Sequence, residues 1–222
     1  MRFTNRASAG RLLARELLKL DLRAPVVYAL PRGGLPVAFE VAEALKAPLD
    51  IVLVRKIGVP WQRELAAGAI ADDAQNLVFN KDVIAEAGMQ RRQVEEAAKV
   101  EIREIERRRA LYLAGRSPVE VKGREAIIVD DGIATGATVE AAIMAVRRRE
   151  PSRVIVATPV APPDTVAELK ALANDVVCLA TPEPFFAISA HYDDFRQLTD
   201  QDVVDVLRQA HSAEGGGYGG ST

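Results

Sequence analysis

The sequence predicts an α/β fold, a Rossmann-like parallel sheet flanked by helices. Short apolar runs of the buried-strand type recur along the chain at Pro25–Leu30, Asp50–Val54, Ala126–Val129, Val154–Thr158 and Val176–Ala180. They are continuous rather than alternating, as expected for strands covered on both faces. Helical patterns lie between most of them, at Leu35–Leu45, Thr138–Arg149 and Asp164–Leu172. Repeated strand–helix–strand units of this kind build a parallel sheet with helices on both sides.

Further helices are predicted outside these units. Ala7–Leu20 is amphipathic, and Asp200–Ala210 forms a final helix. A helical insertion at about residues 81–115 is dense in Glu and Arg along Lys81–Leu113, with a narrow apolar stripe. Such a helix is typical of a solvated surface element, and a nucleic-acid-binding helix is less favoured because its acidic and basic residues nearly cancel.

Composition narrows the possible functions. Lys and Arg number 29 against 31 Asp and Glu, so bulk charge gives no support to a nucleic-acid partner. The single cysteine, Cys178, excludes an intramolecular disulfide and a multi-cysteine metal site, and its apolar surroundings favour a buried thiol over a nucleophile. No uncharged segment approaches the roughly 18 residues that span a bilayer. We therefore expect a cytoplasmic protein without membrane or nucleic-acid partners.

The chain is predicted to form a single domain over residues 1–210, followed by a glycine-rich disordered tail over residues 211–222. Two segments interrupt the strand–helix rhythm. Residues 56–73 mix Gly, Pro and Trp with charges and have no clean period, which predicts a flexible loop. Residues 181–195 are rich in proline and aromatic residues and form a second irregular segment before the last helix.

The most informative motif is VDDGIATGAT at Val129–Thr138, where a predicted strand ends and a helix begins. Small residues let backbone N–H groups approach an anion, and the start of a helix adds partial positive charge. Asp130 and Asp131 would repel a phosphate, but they could accept hydrogen bonds from vicinal ribose hydroxyls. The alternative, that Asp131 and the threonines only cap the helix, explains one residue rather than the whole run.

VDDGIATGAT resembles the phosphoribosyl pyrophosphate (PRPP) motif of type I phosphoribosyltransferases, and the resemblance extends from about Arg11 to Leu207. It implies that Asp130 and Asp131 hold the ribose hydroxyls. It also implies a loop around the 5-phosphate that consists of Ala134, Thr135, Gly136, Ala137 and Thr138. The fold implied is the type I phosphoribosyltransferase fold, in which residues 181–195 would form a small C-terminal hood.

The resemblance implies a pyrophosphate site as well. The family's pyrophosphate loop follows the first core strand, where this chain has Pro31 and then Arg32, Gly33 and Gly34. Arginine is a bidentate phosphate donor, although this tetrapeptide alone could be an ordinary turn. Arg55 and Lys56 follow the second strand, where they either contact the pyrophosphate or are solvated charges. No direct metal ligand is implied, because Mg²⁺ would be bound through the pyrophosphate.

Roles in catalysis and base recognition are implied more weakly. The flexible loop would close over the site and exclude water, and Glu64 within it is a candidate proton acceptor. In the hood, Phe185, Phe186 and Tyr192 could stack on a base or could be packing residues. His191 is more consistent with an incidental histidine than with a catalytic one.

PRGG, VRKIG, VDDGIATGAT and TPEPFFAI together resemble bacterial phosphoribosyltransferases whose acceptor base is unassigned. Ala134 stands where 6-oxopurine enzymes typically carry an acid, which disfavours hypoxanthine or guanine as acceptor. The sequence thus predicts a Mg²⁺-dependent, homo-oligomeric enzyme that transfers phosphoribosyl from PRPP to an unknown base. A non-enzymatic PRPP or nucleotide sensor is the alternative. A pyrophosphokinase is a third, but the chain has no Gly-x-x-x-x-Gly-Lys-Ser/Thr motif for ATP.

Overall fold

The structure, a computed structural model, describes residues 1–72, 77–114 and 117–215; of residues 63, 64 and 211–215 it describes the backbone alone. The strands are β1 (Pro25–Ala29), β2 (Leu49–Ile51), β3 (Val54–Val59), β4 (Gln62–Ala71), β5 (Leu77–Phe79), β6 (Glu125–Val129), β7 (Arg153–Val160) and β8 (Asp175–Ala180). The helices are α1 (Arg6–Leu17), α2 (Gly34–Leu45), α3 (Lys81–Glu86), α4 (Arg91–Leu113), α5 (Ala137–Arg147), α6 (Pro163–Leu172) and α7 (Asp200–Gly215).

Five strands form the predicted parallel sheet, in the order β2-β1-β6-β7-β8. Alternate residues of its strands point to opposite faces. Val27 and Ala29 of β1 pack in a cluster with α1, α2 and α7, whereas Val26 and Tyr28 pack in a second cluster with α5 and α6. Both faces are therefore covered, which is why these strands are continuous apolar runs.

The order of the strands defines where a ligand can bind. From β1 the chain moves outward to β2, and from β6 it moves outward in the other direction to β7 and β8. The boundary between β1 and β6 is a topological switch point, and ligands bind there beyond the carboxyl ends of the strands. The segments that begin at Leu30 and Asp130 leave the sheet at this point.

Within the segment predicted as an irregular flexible loop at residues 56–73, the described residues up to 72 form an antiparallel hairpin of β3 and β4 instead, and β5 extends it. Two features hid it in the sequence. Much of β4 consists of alanine and glycine, which are weak strand formers. The register also shifts twice near Gly58, which disrupts any alternating pattern. The predicted strand Asp50–Val54 is likewise divided, since β2 ends at Ile51 and Val54 begins β3.

The helical insertion is present as α3 and α4. Val94, Ala98 and Ile105 of the predicted apolar stripe are buried, together with Tyr112, and α4 packs on β3, β4, β5 and α7. At the C-terminal end, α7 continues to Gly215, beyond the predicted domain limit at residue 210, and residues 216–222 lie outside the described part. None of the described helices is long and apolar enough to cross a membrane.

Candidate active site

The predicted phosphate loop follows β6 and leads into α5. Gly136 is the N-cap residue of α5, with φ of 75°, a left-handed conformation that glycine adopts without strain. As a glycine, Gly136 has no side chain to cap α5, and no described side chain forms a hydrogen bond to this end of the helix, so the capping explanation for the threonines is wrong. The hydroxyl of Thr165, on α6, donates a hydrogen bond of 2.8 Å to the carbonyl of Ala134 and so holds the loop. The backbone N–H groups of the first turn remain available to an anion.

A cavity of about 170 Å³ lies against this loop. Its lining includes most of the predicted phosphate loop and both predicted sugar-binding acids: Ala134, Thr135, Gly136, Thr138, Asp130 and Asp131. Lys56 of β3 also lines it, as does Ile188 of the hood. The structure thus brings residues from three separate segments, β3, the loop after β6 and the hood, together around one small cavity.

A second cavity, of about 430 Å³, is lined by Arg32 and Gly33 of the predicted pyrophosphate loop. Asp131 lines both cavities. The remaining lining residues come from both ends of the chain: Arg6, Phe195, Gln197 and Leu198. The peptide bond between Pro31 and Arg32 is cis. The guanidinium of Arg32 lies 3.8 Å from the carboxylate of Asp200, the first residue of α7.

The two glycines of the pyrophosphate loop are required by close packing rather than by unusual backbone angles. A Cβ on Gly33 would lie 2.2 Å from Oδ2 of Asp131. A Cβ on Gly34 would lie 2.6 Å from the carbonyl oxygen of Val129 and 2.9 Å from Cα of Asp130. The pyrophosphate loop and the acidic pair are therefore in direct contact.

The two acids have different electrostatic surroundings. Burial raises the pKa of Asp130 well above its usual range, and the neighbouring carboxylate of Asp131 raises it further. Burial also raises the pKa of Asp131, but the guanidinium of Arg6 opposes that effect. Nε of Arg6 donates to Oδ2 of Asp131 at 2.7 Å, and both side chains are only 10% exposed.

The other predicted site residues are Arg55, Glu64, Phe185 and Phe186. Arg55 does not line either cavity, because its Nε donates to the carboxylate of Glu101 on α4 at 2.6 Å. The backbone of Glu64 belongs to β4, but its side chain lies outside the described residues. Of the predicted base-binding residues, Phe186 is 84% exposed, and Phe185 stacks on His191 with ring centroids 5.8 Å apart.

Tyr192 is a packing residue. It is buried against Phe3, and its hydroxyl donates a hydrogen bond of 2.5 Å to the carbonyl of Asp131. Cys178 is half-buried in β8, its Sγ donates to the carbonyl of Ala180, and burial raises the pKa of the thiol. Both features agree with the predicted unreactive thiol.

The residues at the cavities that were missed from the sequence include Arg6, Ile188 and Phe195. Arg6 lies 125 positions before its partner Asp131, and as an arginine in an amphipathic helix it looks like any solvated cation. Ile188 packs against Gly132, where a Cβ would lie 2.4 Å from it. Only the fold brings these distant segments together, so no local pattern could have marked them.

The comparisons agree with this fold. Residues 4–194 match the family model of the phosphoribosyl transferase domain. Two curated relatives from strains of Mycobacterium tuberculosis, provisionally named phosphoribosyl transferases, are 46% identical over 209 residues. These 209 residues are 94% of this chain and 47% of each relative, so the chain spans about half their length.

A solved structure, that of the protein TT1426 from Thermus thermophilus, is also similar to this chain. Its TM-score is 0.81 at 43% identity, over 94% of this chain and 99% of that one. The chain is a member of the type I phosphoribosyltransferase family, and its acceptor base is unassigned.

Proposed function

We propose that the protein transfers the phosphoribosyl group of PRPP to a ring nitrogen of a base and releases pyrophosphate. The observation that carries this proposal is the contact between the two predicted motifs. The acidic pair lies between an uncapped helix start and the pyrophosphate loop, and Asp131 lines both cavities. A sugar held at the acids could therefore extend a 5-phosphate towards α5 and a pyrophosphate towards Arg32. Membership of the family supports the same activity.

In the proposed reaction the bond between C1 of the ribose and the pyrophosphate oxygen breaks, and a bond between C1 and the base nitrogen forms. The sugar passes through an oxocarbenium-like state, and the proton of the base nitrogen goes to a general base. Thr135, Thr138 and the N–H groups of α5 would bind the 5-phosphate. Asp130 and Asp131 would orient the sugar and offset its developing positive charge, since fixed charges aimed at a transition state lower its energy.

Arg32, which lines the larger cavity, and Lys56, which lines the smaller one, would be the cations that bind the phosphate groups. Mg²⁺ fits this site as an ion that enters with the pyrophosphate. No group of three or more acidic, histidine or cysteine side chains among the described residues could hold a metal on its own, and Mg²⁺ is usually bound by substrate phosphates with few protein ligands. Bound in this way, it would neutralise the leaving group.

One observation favours a second candidate function, a PRPP or nucleotide sensor without catalysis. Arg55, expected at the pyrophosphate, is paired with Glu101 instead. A sensor needs to bind its ligand but does not need to neutralise a leaving group. The same fold and phosphate loop would serve both functions.

The two functions are separated by incubating the protein with PRPP, Mg²⁺ and a panel of purine and pyrimidine bases while pyrophosphate release is measured. We expect release that depends on one base, and its loss in the Asp130→Asn/Asp131→Asn variant. Calorimetry with PRPP in the absence of a base measures binding alone. Binding without release on any base would favour the sensor, and no PRPP binding would refute both functions.

A further inference from the structure

Arg6 is a buried arginine in the first turn of α1, and the predicted motifs do not include it. Its side chain is 10% exposed and makes three contacts. Nε donates to Oδ2 of Asp131 at 2.7 Å, Nη1 donates to the carbonyl of Arg196 at 2.9 Å, and the guanidinium lies over the ring of Phe195, 3.8 Å from its centroid. Contacts on two edges and one face of the planar group hold it in one orientation.

Asp131 is held as firmly as its partner. Its carbonyl accepts the hydroxyl of Tyr192, and the backbone of Gly33 lies so close to Oδ2 that no Cβ would fit between them. Oδ2 is therefore confined between Arg6 and Gly33. Because Asp131 lines both cavities, the orientation of its carboxylate determines what it presents to a ligand between them.

A purely stabilising role would be a poor reason for this arrangement. A buried ion pair contributes little compared with apolar packing, because the desolvation cost offsets most of the attraction. Here one charge comes from the N-terminal helix and the other from the loop after β6, at the boundary of both cavities. An ion pair in this position has a clear function if one of its two residues contacts a ligand.

We propose that Arg6 is a positioning residue for the sugar: it holds Oδ2 of Asp131 so that the carboxylate accepts a hydrogen bond from a ribose hydroxyl. Arg6 acts through Asp131 and leaves the pyrophosphate loop to bind the pyrophosphate. The inference deepens the proposed function and rests on it. It assigns to α1 a part in selecting ribose over deoxyribose.

The test measures by calorimetry how tightly the protein binds four ligands: ribose 5-phosphate, its 2-deoxy and 3-deoxy analogues, and inorganic pyrophosphate. We expect the wild type to prefer ribose 5-phosphate over at least one analogue by about tenfold, the scale of one hydrogen bond to a charged group. Arg6→Gln should lose that preference and bind pyrophosphate within about twofold of the wild type. Arg6→Lys keeps the charge but not the planar geometry, so its preference for ribose 5-phosphate should fall by about threefold.

Two further variants complete the test. Asp131→Asn should lose as much of the preference for ribose 5-phosphate as Arg6→Gln does. The double variant should lose no more of it than either single variant, because both substitutions act on one hydrogen bond. Arg11→Gln is the matched control, since Arg11 lies on the same helix in an ion pair with Glu40 at 57% exposure. It should retain the wild-type preference. Thermal unfolding establishes that each variant is folded, and Arg6→Lys carries the test if Arg6→Gln is not.

The outcomes distinguish the inference from the function. An unchanged preference in Arg6→Gln or, if that variant is unfolded, in Arg6→Lys overturns the inference. An equal loss for all four ligands also overturns it, because that is the result of a purely structural role. A wild type that binds PRPP but does not discriminate between the sugars overturns the inference and leaves the function standing. A wild type that binds neither PRPP nor ribose 5-phosphate refutes both.

Discussion

The two adjacent acids are equivalent in the sequence, but the structure makes them different. Asp131 has the guanidinium of Arg6 as a partner. Asp130 packs against Gly34 and accepts a hydrogen bond of 2.9 Å from the backbone N–H of Asp131. Burial and the neighbouring carboxylate raise its pKa. A charged Asp130 therefore costs free energy when no ligand is bound, and sugar hydroxyls would reduce that cost by donating to it.

We predict that, in the absence of added ligand, Asp130→Asn stabilises the protein at neutral pH. The pKa of Asp130 is higher in the folded than in the unfolded state, so the folded protein loses stability as pH rises from the unfolded pKa, about 3.9, through the raised pKa. Asparagine does not titrate. The variant should therefore gain about 1–3 kcal/mol at pH 8 and less at pH 5, as measured by urea unfolding.

Asp21→Asn, at an exposed position, is the control for the exchange of a carboxyl for an amide. A gain at Asp130 that is equal at both pH values would contradict the prediction. Asp130→Asn should also bind PRPP more weakly than the wild type, because the carboxylate of Asp130 serves ligand binding at the expense of stability.

Among the elements, the hairpin of β3 and β4 is attached to the core by apolar packing and also by one buried charged residue. Asp72 follows β4 in a left-handed conformation, and its side chain is 8% exposed. Its carboxylate accepts from the backbone N–H of Leu53 at 3.1 Å, pairs with Arg109 of α4 at 3.2 Å, and pairs with Arg149 after α5. The start and end of the hairpin, the helical insertion and the segment after α5 meet at this carboxylate.

We predict that Asp72→Asn destabilises the protein by about 3 kcal/mol, because removing one member of a buried charge group leaves the others uncompensated. Asparagine tolerates the left-handed backbone, so the change tests the charge and not strain. Glu96→Gln, in an exposed pair with Lys99, is the control and should cost about 1 kcal/mol or less. Denaturant unfolding measures both, and equal small losses would show that the hairpin is attached by other contacts.

The candidate site exists only in the whole molecule. Its residues come from α1, the loop after β1, β3, the loop after β6 and the hood. The switch point between β1 and β6 brings these segments to one edge of the sheet. A ligand that needs all of them can bind the folded chain and not the unfolded one, so it should stabilise the fold by mass action.

We predict that PRPP with Mg²⁺ raises the melting temperature. At a free concentration about 100 times the Kd the stabilisation is about 2.7 kcal/mol, which for a chain of this size is roughly 5–10 °C. Differential scanning fluorimetry measures the shift. Mg²⁺ alone should produce little change, and Asp130→Asn/Asp131→Asn should not respond to PRPP. A shift of equal size in that variant would place the ligand elsewhere.

The sequence by itself determined the parallel sheet, the helices around it and the phosphate loop. These features are local, since buried strands are apolar over a few residues and an anion site at a helix start needs small residues in one short run. Family membership follows from the same run and is confirmed. The homo-oligomeric state and the role of Glu64 stay predictions.

Only the tertiary structure decided which charges face the site. Arg55 and Lys56 are neighbours in the sequence, but successive side chains of a strand point to opposite faces, so Lys56 lines the cavity and Arg55 pairs with α4. Arg6 and Asp131 become partners because α1 packs beside the loop after β6. The partner of a charge depends on contacts between distant segments, and a local pattern contains no information about them.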